Sequence, residues 1–89
     1  MLEKEIEIIN KLGLHARAAA KLVKLASGFE CEIEIQKDTQ KVNAKSIMGV
    51  MMLAASRGNV ITIYTEGTEE TKAMDAVEAL INNKFGEPE

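Results

Sequence analysis

The spacing of apolar residues changes period along this chain, and this change limits the folds that the sequence can adopt. Leu2, Ile6 and Ile8 alternate with acidic residues, a period of two that puts apolar and acidic side chains on opposite faces of a β-strand. From Ala16 onward the apolar positions recur instead at the spacing of an amphipathic helix, and Gly28 stands where the cap of its C-terminus is expected. A chain that uses both periods predicts an α+β fold.

The same two periods continue to the end of the chain. After the first helix, two extended segments joined by a polar connection predict a hairpin, and a β-branched segment predicts a further strand. Ser46 can cap a short second helix, and Glu69 and Glu70 suit the N-terminal dipole of a third. The predicted strands cover residues 2–8, 31–36, 41–44 and 60–65, and the predicted helices cover residues 16–27, 47–56 and 68–81.

The predicted order of elements is therefore βαββαβα, which an 89-residue chain can hold in a single domain over residues 1–89. Connections of this kind place three helices on one face of a four-stranded antiparallel sheet. The alternating acids then occupy the face that is open to solvent. The tail of residues 86–89 contains the only proline and is expected to fray.

Residue counts argue against several classes of function. One cysteine and one histidine cannot supply a zinc site, so we expect no metal and no disulfide, and nothing in the sequence requires a cofactor. A net charge of -3 and only two phenylalanines and one tyrosine argue against nucleic-acid binding. The charge-free stretch 46–56 is about half as long as a membrane span. We therefore expect a cytoplasmic protein without membrane insertion.

The only histidine, His15, lies just before the first helix, and Gly13 allows the backbone to turn ahead of it. The helix has free N–H groups at its start, and its charged residues are all basic: Arg17, Lys21 and Lys24. These features predict an anion site at which a histidine could be phosphorylated while Arg17 holds phosphate oxygens. A lone histidine is more often structural or simply exposed, and it is the basic neighbours and free amides that favour the anion site here.

The segment Gly13-Leu14-His15-Ala16-Arg17 resembles the active-site signature of the HPr family, the histidine-containing phosphocarriers of the bacterial phosphoenolpyruvate-dependent sugar phosphotransferase system. Residues 45–51 resemble the family's second signature, so that the resemblance covers nearly the whole chain. It implies an open-faced β-sandwich and a protein that is a substrate of phosphotransferases rather than an enzyme. Its phosphoryl group would arrive on Nδ1 of His15 from phosphorylated enzyme I, with Arg17 as partner, and leave to enzyme IIA domains.

The chain departs from the family pattern at Ala18, where the family commonly has proline. Proline suits the first turn of a helix because an N–H at that position would have no partner, so alanine should remove some rigidity but no chemistry.

Ser46 has two interpretations. From its position it is a helix cap, and the resemblance adds regulatory phosphorylation by an HPr kinase, which acts on the matching serine in part of the family.

The second helix has more apolar positions than one face of a sheet can cover. Val50, Leu53 and Ala54 are predicted to lie in the core, whereas the remaining apolar residues are predicted to form an exposed patch, because flexible thioethers suit surfaces that meet several partners. The resemblance implies that this helix and the start of the first dock enzyme I and enzyme IIA, with two lysines as a charged rim or a merely solvated face. The predicted docking residues are Ala16, Ala18, Lys21, Lys24, Ile47, Met48, Met51 and Met52.

Several functions other than sugar phosphotransfer have to be weighed. A regulatory phosphocarrier, working in a nitrogen-type branch or as an allosteric partner of transcriptional regulators, would have the same active site and would differ only in its partners. A hydrolase that uses His15 lacks a nucleophile and an orienting acid near it in the sequence. An RNA-binding α/β domain would need aromatic residues on its strands, and Tyr64 is the only one. We expect the protein to be a monomer.

Overall fold

The computed structural model describes all 89 residues and confirms the predicted order of strands and helices. The strands are β1 (Leu2–Glu7), β2 (Cys31–Lys37), β3 (Gln40–Asn43) and β4 (Val60–Gly67), and the helices are α1 (Ala16–Ser27), α2 (Ile47–Met52) and α3 (Glu70–Asn82). A short 3-10 turn, Lys84–Gly86, follows α3. None of these helices combines the length and the apolar character needed to cross a membrane.

The four strands form one antiparallel sheet in the order β1-β4-β2-β3. The register places Ile6 opposite Ile61 and Ile35 opposite Ile63, so that the buried side chains of adjacent strands share one face. Helix α3 packs against β1, β2 and β4, and α1 packs against α2 and α3. The opposite face carries exposed acids and confirms the open sheet with its helices on one side; these acids are Glu3, Glu5, Glu7, Glu32 and Glu66.

The core lies between the sheet and the helices and forms one cluster of 20 buried apolar residues. Helix α1 contributes one large side chain, Leu22, and otherwise small ones, because alanines allow its backbone to approach its neighbours closely. The break in the alternation of β1, at Lys4, has a tertiary reason. Its Nζ lies on the helix-facing side of the strand and pairs with Oε1 of Glu78 in α3 at 2.8 Å.

Helix α2 is shorter than the sequence pattern predicts, since it ends at Met52 rather than near Ser56. Ala54 takes a left-handed conformation with a φ of 49°, which ends the helix, and Nζ of Lys37 lies 3.3 Å from the free carbonyl oxygens of Leu53 and Ala54. The prediction that Ala54 lies in the core was wrong. This residue is exposed, and Ala55 is buried in its place.

The prediction that the tail frays was also wrong. Phe85 is fully buried, and its carbonyl oxygen accepts a hydrogen bond of 2.6 Å from Nζ of Lys21 in α1. Beyond it, the carbonyl oxygen of Glu89 accepts from the backbone N–H of Lys11 at 2.8 Å. The C-terminal segment, residues 83–89, therefore returns to the loop before α1.

Candidate functional site

The loop between β1 and α1 is held in place by the segment that precedes β4. The N–H of Leu14 donates to the carbonyl oxygen of Ala55 at 2.9 Å, and Ile8 exchanges backbone hydrogen bonds with Gly58 and Asn59. Gly13 has a φ of +64°, and a Cβ at this position would lie 2.5 Å from the Ala55 carbonyl oxygen. Glycine is therefore required at this position for two reasons, the left-handed backbone conformation and the close approach of the Ala55 carbonyl oxygen. This packing fixes the residue at which α1 begins.

His15 is the N-cap of α1, but its side chain makes no capping hydrogen bond. The backbone N–H groups of Ala16, Arg17 and Ala18 consequently have no hydrogen-bond partner, and the first turn carries no acidic residue. Free amides at the positive end of a helix attract anions. The anion site predicted from the sequence thus has its backbone elements in place next to the imidazole.

His15 and Arg17 share one open cleft. The His15 side chain is 27% exposed, and Arg17 is exposed and makes no ion pair in the structure. The cleft has a volume of about 690 Å³, and its lining residues are Lys11, Leu12, His15, Ala16, Arg17, Glu87, Pro88 and Glu89. No serine, threonine or cysteine is among them, which gives a hydrolase using His15 no neighbouring nucleophile.

Two residues at this site were missed in the sequence analysis, Glu87 and Asn10. Oε2 of Glu87 is hydrogen-bonded to Nε2 of His15, and Oε1 of the same carboxylate accepts from Nδ2 of Asn10 at 2.8 Å. Asn10 is fully buried and also donates to the carbonyl oxygen of Gly13 at 2.8 Å. No local pattern points to Glu87, because it lies 72 residues from His15 along the chain.

The contact between Glu87 and His15 determines which nitrogen of the imidazole carries the proton. The Asn10 amide, supported by the neighbouring His15 and Lys21, holds the pKa of Glu87 below its ordinary value of 4.5 against the opposing effect of desolvation. An ionised carboxylate only accepts hydrogen bonds, so Nε2 of His15 must be the donor. In the neutral ring, Nδ1 then keeps its lone pair, and Nδ1 makes no hydrogen bond in the structure.

Ser46 caps α2, as the sequence predicts. Its Oγ accepts a hydrogen bond of 3.2 Å from the N–H of Gly49, and its backbone is extended. Gly49 also lies close to β3, because a Cβ at this position would meet Cβ of Val42 at 3.3 Å and Oγ of Ser46 at 3.4 Å. Ser46 is half-buried, and the exposed residues Ile47 and Met48 follow it directly.

The structure exposes an apolar surface on α2, which we call the apolar patch: Ile47, Met48, Met51 and Met52. Met48 is 68% exposed and Met52 66%, so neither contributes much to the core. Helix α1 packs against α2, and the predicted docking residues Ala16 and Lys24 of α1 are exposed. Leu12, in the loop before α1, is 65% exposed and was not part of the prediction.

One of the predicted docking residues needs correction, and a second has an additional role. Ala18 is fully buried because it faces the core from the first turn of α1, so it cannot contact a partner directly. Lys21 is exposed, and its Nζ also donates to the carbonyl oxygen of Phe85. This lysine anchors the C-terminal segment as well as contributing a positive charge to the surface.

Comparisons with known proteins agree on one family. A family model described as the PTS HPr component phosphorylation site matches residues 2–83. The phosphocarrier protein HPr of Cupriavidus necator is 55% identical over 89 residues, which is the full length of both chains. The crystal structure of HPr-C-His from Thermoanaerobacter tengcongensis is 53% identical, with a TM-score of 0.96 and complete coverage of both chains. A crystal structure of an HPr dimer from the same organism is 54% identical, with a TM-score of 0.79, and covers 98% of this chain and 100% of that one.

Proposed function

This chain belongs to the HPr family, the phosphocarriers of the phosphotransferase system, and on this basis we propose that it accepts a phosphoryl group from phosphorylated enzyme I on His15 and passes it to enzyme IIA domains. The observation that carries the proposal is the arrangement at the start of α1. An imidazole nitrogen without a hydrogen bond, three free backbone amides and an unpaired Arg17 all lie within residues 15–18, at one cleft.

The chemistry proceeds by in-line transfer. The lone pair of Nδ1 forms a bond to phosphorus while the bond between phosphorus and the donor breaks, and that electron pair leaves with the donor. The phosphoryl oxygens carry the negative charge throughout, so the free amides of α1 and the guanidinium of Arg17 stabilise them in both directions. Transfer to an enzyme IIA domain is the same reaction in reverse, with a different protein as the acceptor. His15, Arg17 and the backbone thus act as a carrier site and not as an enzyme.

Docking of both partners is assigned to the apolar patch together with Ala16 and Lys24. Exposed methionines can repack against differently shaped surfaces, which suits a protein that must meet a donor and several acceptors. Lys24 is exposed, and its proposed role is to supply positive charge at the edge of this surface. The cleft lies at the start of α1 and α1 packs against α2, which supports the proposal that a partner seated on α2 also covers His15.

Ser46 is proposed as a site of regulatory phosphorylation by an HPr kinase. A phosphate on its Oγ would add roughly -1.5 to -2 charge at pH 7 at the start of α2. The charge would lie beside Ile47 and Met48, where an apolar partner surface approaches, and would have to be desolvated on docking. Its effect would therefore be on partner binding and not on the fold.

The test is transfer of label from phosphoenolpyruvate in the presence of a purified bacterial enzyme I. We expect one phosphoryl group per chain, lost in acid and stable in alkali, because protonation of the ring activates the N–P bond. His15→Ala should take no label while keeping its circular-dichroism spectrum and melting curve, since the side chain is partly exposed. Label on the His15→Ala protein would rule out the proposal.

The regulatory alternative has the same site and differs in the donor. Running the assay in parallel with a sugar-type and a nitrogen-type enzyme I separates the two, because the proposal requires faster labelling by the sugar type.

The same preparation, analysed by sedimentation in both phosphorylation states, tests the proposed monomer. Fractionation of cells tests the proposed cytoplasmic location.

A further inference from the structure

The C-terminal segment is anchored to the rest of the molecule by three contacts. Phe85 fills the core, Lys21 holds its carbonyl oxygen, and the backbone of Glu89 pairs with Lys11. Between these anchors, Lys84, Phe85 and Gly86 all have φ values between 56° and 78°. Two of these residues are not glycine, and such residues take left-handed conformations only where the surrounding structure enforces them.

The result of this turn is the placement of a single side chain, Glu87. Its side chain is only 12% exposed, and both of its oxygens are used, one by Asn10 and the other by His15. Asn10 is itself fully buried and bound to the carbonyl oxygen of Gly13. The carboxylate is therefore tied by a buried amide to the same loop that carries the imidazole, so that the two side chains keep a fixed relation.

We propose that Glu87 is a positioning residue for phosphoryl transfer, which holds the Nε2–H of His15 so that Nδ1 faces the donor with its lone pair and which stabilises the positive charge that the ring acquires. This inference rests on the proposed function. As the N–P bond forms at Nδ1, the ring becomes cationic and keeps its Nε2 proton, while the electron pair of the broken bond leaves with the donor. A partly buried carboxylate at Nε2 favours that cation, as a carboxylate does for the imidazole of a catalytic triad.

Only a carboxylate fits both contacts. Each oxygen of Glu87 accepts a hydrogen bond, whereas a glutamine would offer one acceptor and one donor. In the Glu87→Gln variant, either Nδ2 of Asn10 or Nε2 of His15 faces an N–H group instead of an acceptor. This substitution thus preserves the size of the side chain, removes the charge, and keeps both hydrogen bonds only if the ring proton of His15 moves from Nε2 to Nδ1.

Other charged groups surround Glu87 and have to be considered in any pH profile. Lys21 from α1 contributes to the field at the carboxylate, Arg17 and Lys11 line the same cleft, and Glu89 pairs with Nζ of Lys11 at 3.3 Å. Glu78 is the matched control, because it is a half-buried carboxylate that pairs with a lysine, Lys4, and does not line the cleft.

The experiment compares the wild-type protein with Glu87→Gln, Glu87→Ala and Glu78→Gln in two measurements. In 15N NMR spectra of the imidazole, the wild-type and Glu78→Gln proteins should contain mainly the tautomer protonated at Nε2, and both Glu87 variants should lose this preference. The initial rate of labelling from phosphoenolpyruvate and enzyme I should fall about tenfold in Glu87→Ala and less in Glu87→Gln. It should be unchanged in Glu78→Gln. The difference between wild type and Glu87→Gln should narrow as the pH falls and Glu87 is protonated.

The outcomes separate the two proposals. If the wild-type protein is labelled and the Glu87 variants match it in rate and in tautomer, Glu87 has no positioning role. If the rate falls but the tautomer is unchanged, the segment acts by packing alone and the inference is equally wrong. If the wild-type protein takes no label, the proposed function fails, and the transfer role of Glu87 fails with it. Should Glu87→Ala not fold, the isosteric Glu87→Gln still decides each point.

Discussion

Single residues of the loop before α1 set the geometry of the site. Gly13 allows the chain to pass within contact distance of Ala55, and Asn10 links the carbonyl oxygen of Gly13 to the carboxylate of Glu87. His15 then follows as the N-cap residue, and its imidazole ring makes no capping hydrogen bond. The proposed carrier site therefore depends on backbone packing as much as on the side chains of His15 and Arg17.

Gly13→Ala should destabilise the protein and slow its labelling. The new Cβ would stand 2.5 Å from the carbonyl oxygen of Ala55, and the left-handed backbone adds strain. We expect a loss of about 2 kcal/mol or more in the free energy of unfolding. Urea denaturation measures this loss, with Gly58→Ala as control, since a Cβ at Gly58 meets nothing within 4 Å although its φ is also positive. Equal losses in both variants would mean that backbone conformation alone matters.

Arg17 and the apolar patch should have separable roles. Arg17→Lys keeps the charge but loses the planar fork that binds phosphate oxygens, so labelling should slow while affinity for enzyme I changes little. Met48→Asp should weaken affinity instead, because it puts a charge into a surface that must be desolvated. Titration calorimetry against enzyme I, combined with single-turnover labelling, distinguishes the two. If both variants reduced only the affinity, this division would be wrong.

At the level of elements, α2 is a short helix, and backbone groups at both of its ends are contacted by side chains from outside the helix. Ser46 caps its start, and the amino group of Lys37, at the end of β2, lies near the carbonyl groups just beyond its last residue. With six residues it has too few internal hydrogen bonds to be stable alone. The buried side chains of Val50 and Leu53 pack α2 against the core, while its other face remains exposed.

Two substitutions of Ser46 should have opposite effects. Ser46→Ala removes the cap and should lower the free energy of unfolding by about 1 kcal/mol, with normal phosphotransfer. Ser46→Asp can still accept the hydrogen bond from Gly49, so its melting temperature should stay within a few degrees of wild type. Its charge beside Met48 should nevertheless slow labelling by enzyme I. Thermal unfolding and initial labelling rates test both variants, and an unchanged rate in Ser46→Asp would leave Ser46 as a cap and nothing more.

For the whole molecule, the C-terminal segment links the core, α1 and the site into one cooperative unit. Phe85 packs in the core, while the residues after it reach the loop that carries His15. Because Glu87 joins the site only when this packing is complete, the ionisation of its carboxylate is coupled to folding.

The stability of the protein should accordingly depend on pH through Glu87. The pKa of this carboxyl is lower in the folded protein than its ordinary value of 4.5, chiefly because Asn10 donates to it. Its contribution is therefore fully present above the unfolded pKa and is lost as the pH falls through the folded pKa. Urea denaturation between pH 7 and pH 3 should show wild type and Glu87→Gln converging towards acid. Glu5→Gln, on the exposed face of β1, serves as the control, and a constant gap between wild type and Glu87→Gln would contradict this linkage.

Features that depend on neighbouring residues could be predicted from the amino-acid sequence alone. The alternation of β1 and the helical spacing from Ala16 identified the elements, since both are properties of a few consecutive residues. Ser46 was predicted as a cap for the same reason, and Gly13 and His15 were identified from a short motif. The order of the elements then restricted the sheet to few topologies.

Contacts between residues that are distant in the chain could be identified only in the folded molecule. Glu87 meets His15 across 72 residues, and no local pattern distinguishes this glutamate from the exposed ones on the sheet. The end of α2 at Met52 depends on the conformation of Ala54 and on Lys37, and the burial of Ala18 depends on which side of α1 faces the core. Side-chain hydrogen bonds and burial of this kind exist only once the helices have packed on the sheet, because an extended chain does not bring these groups together.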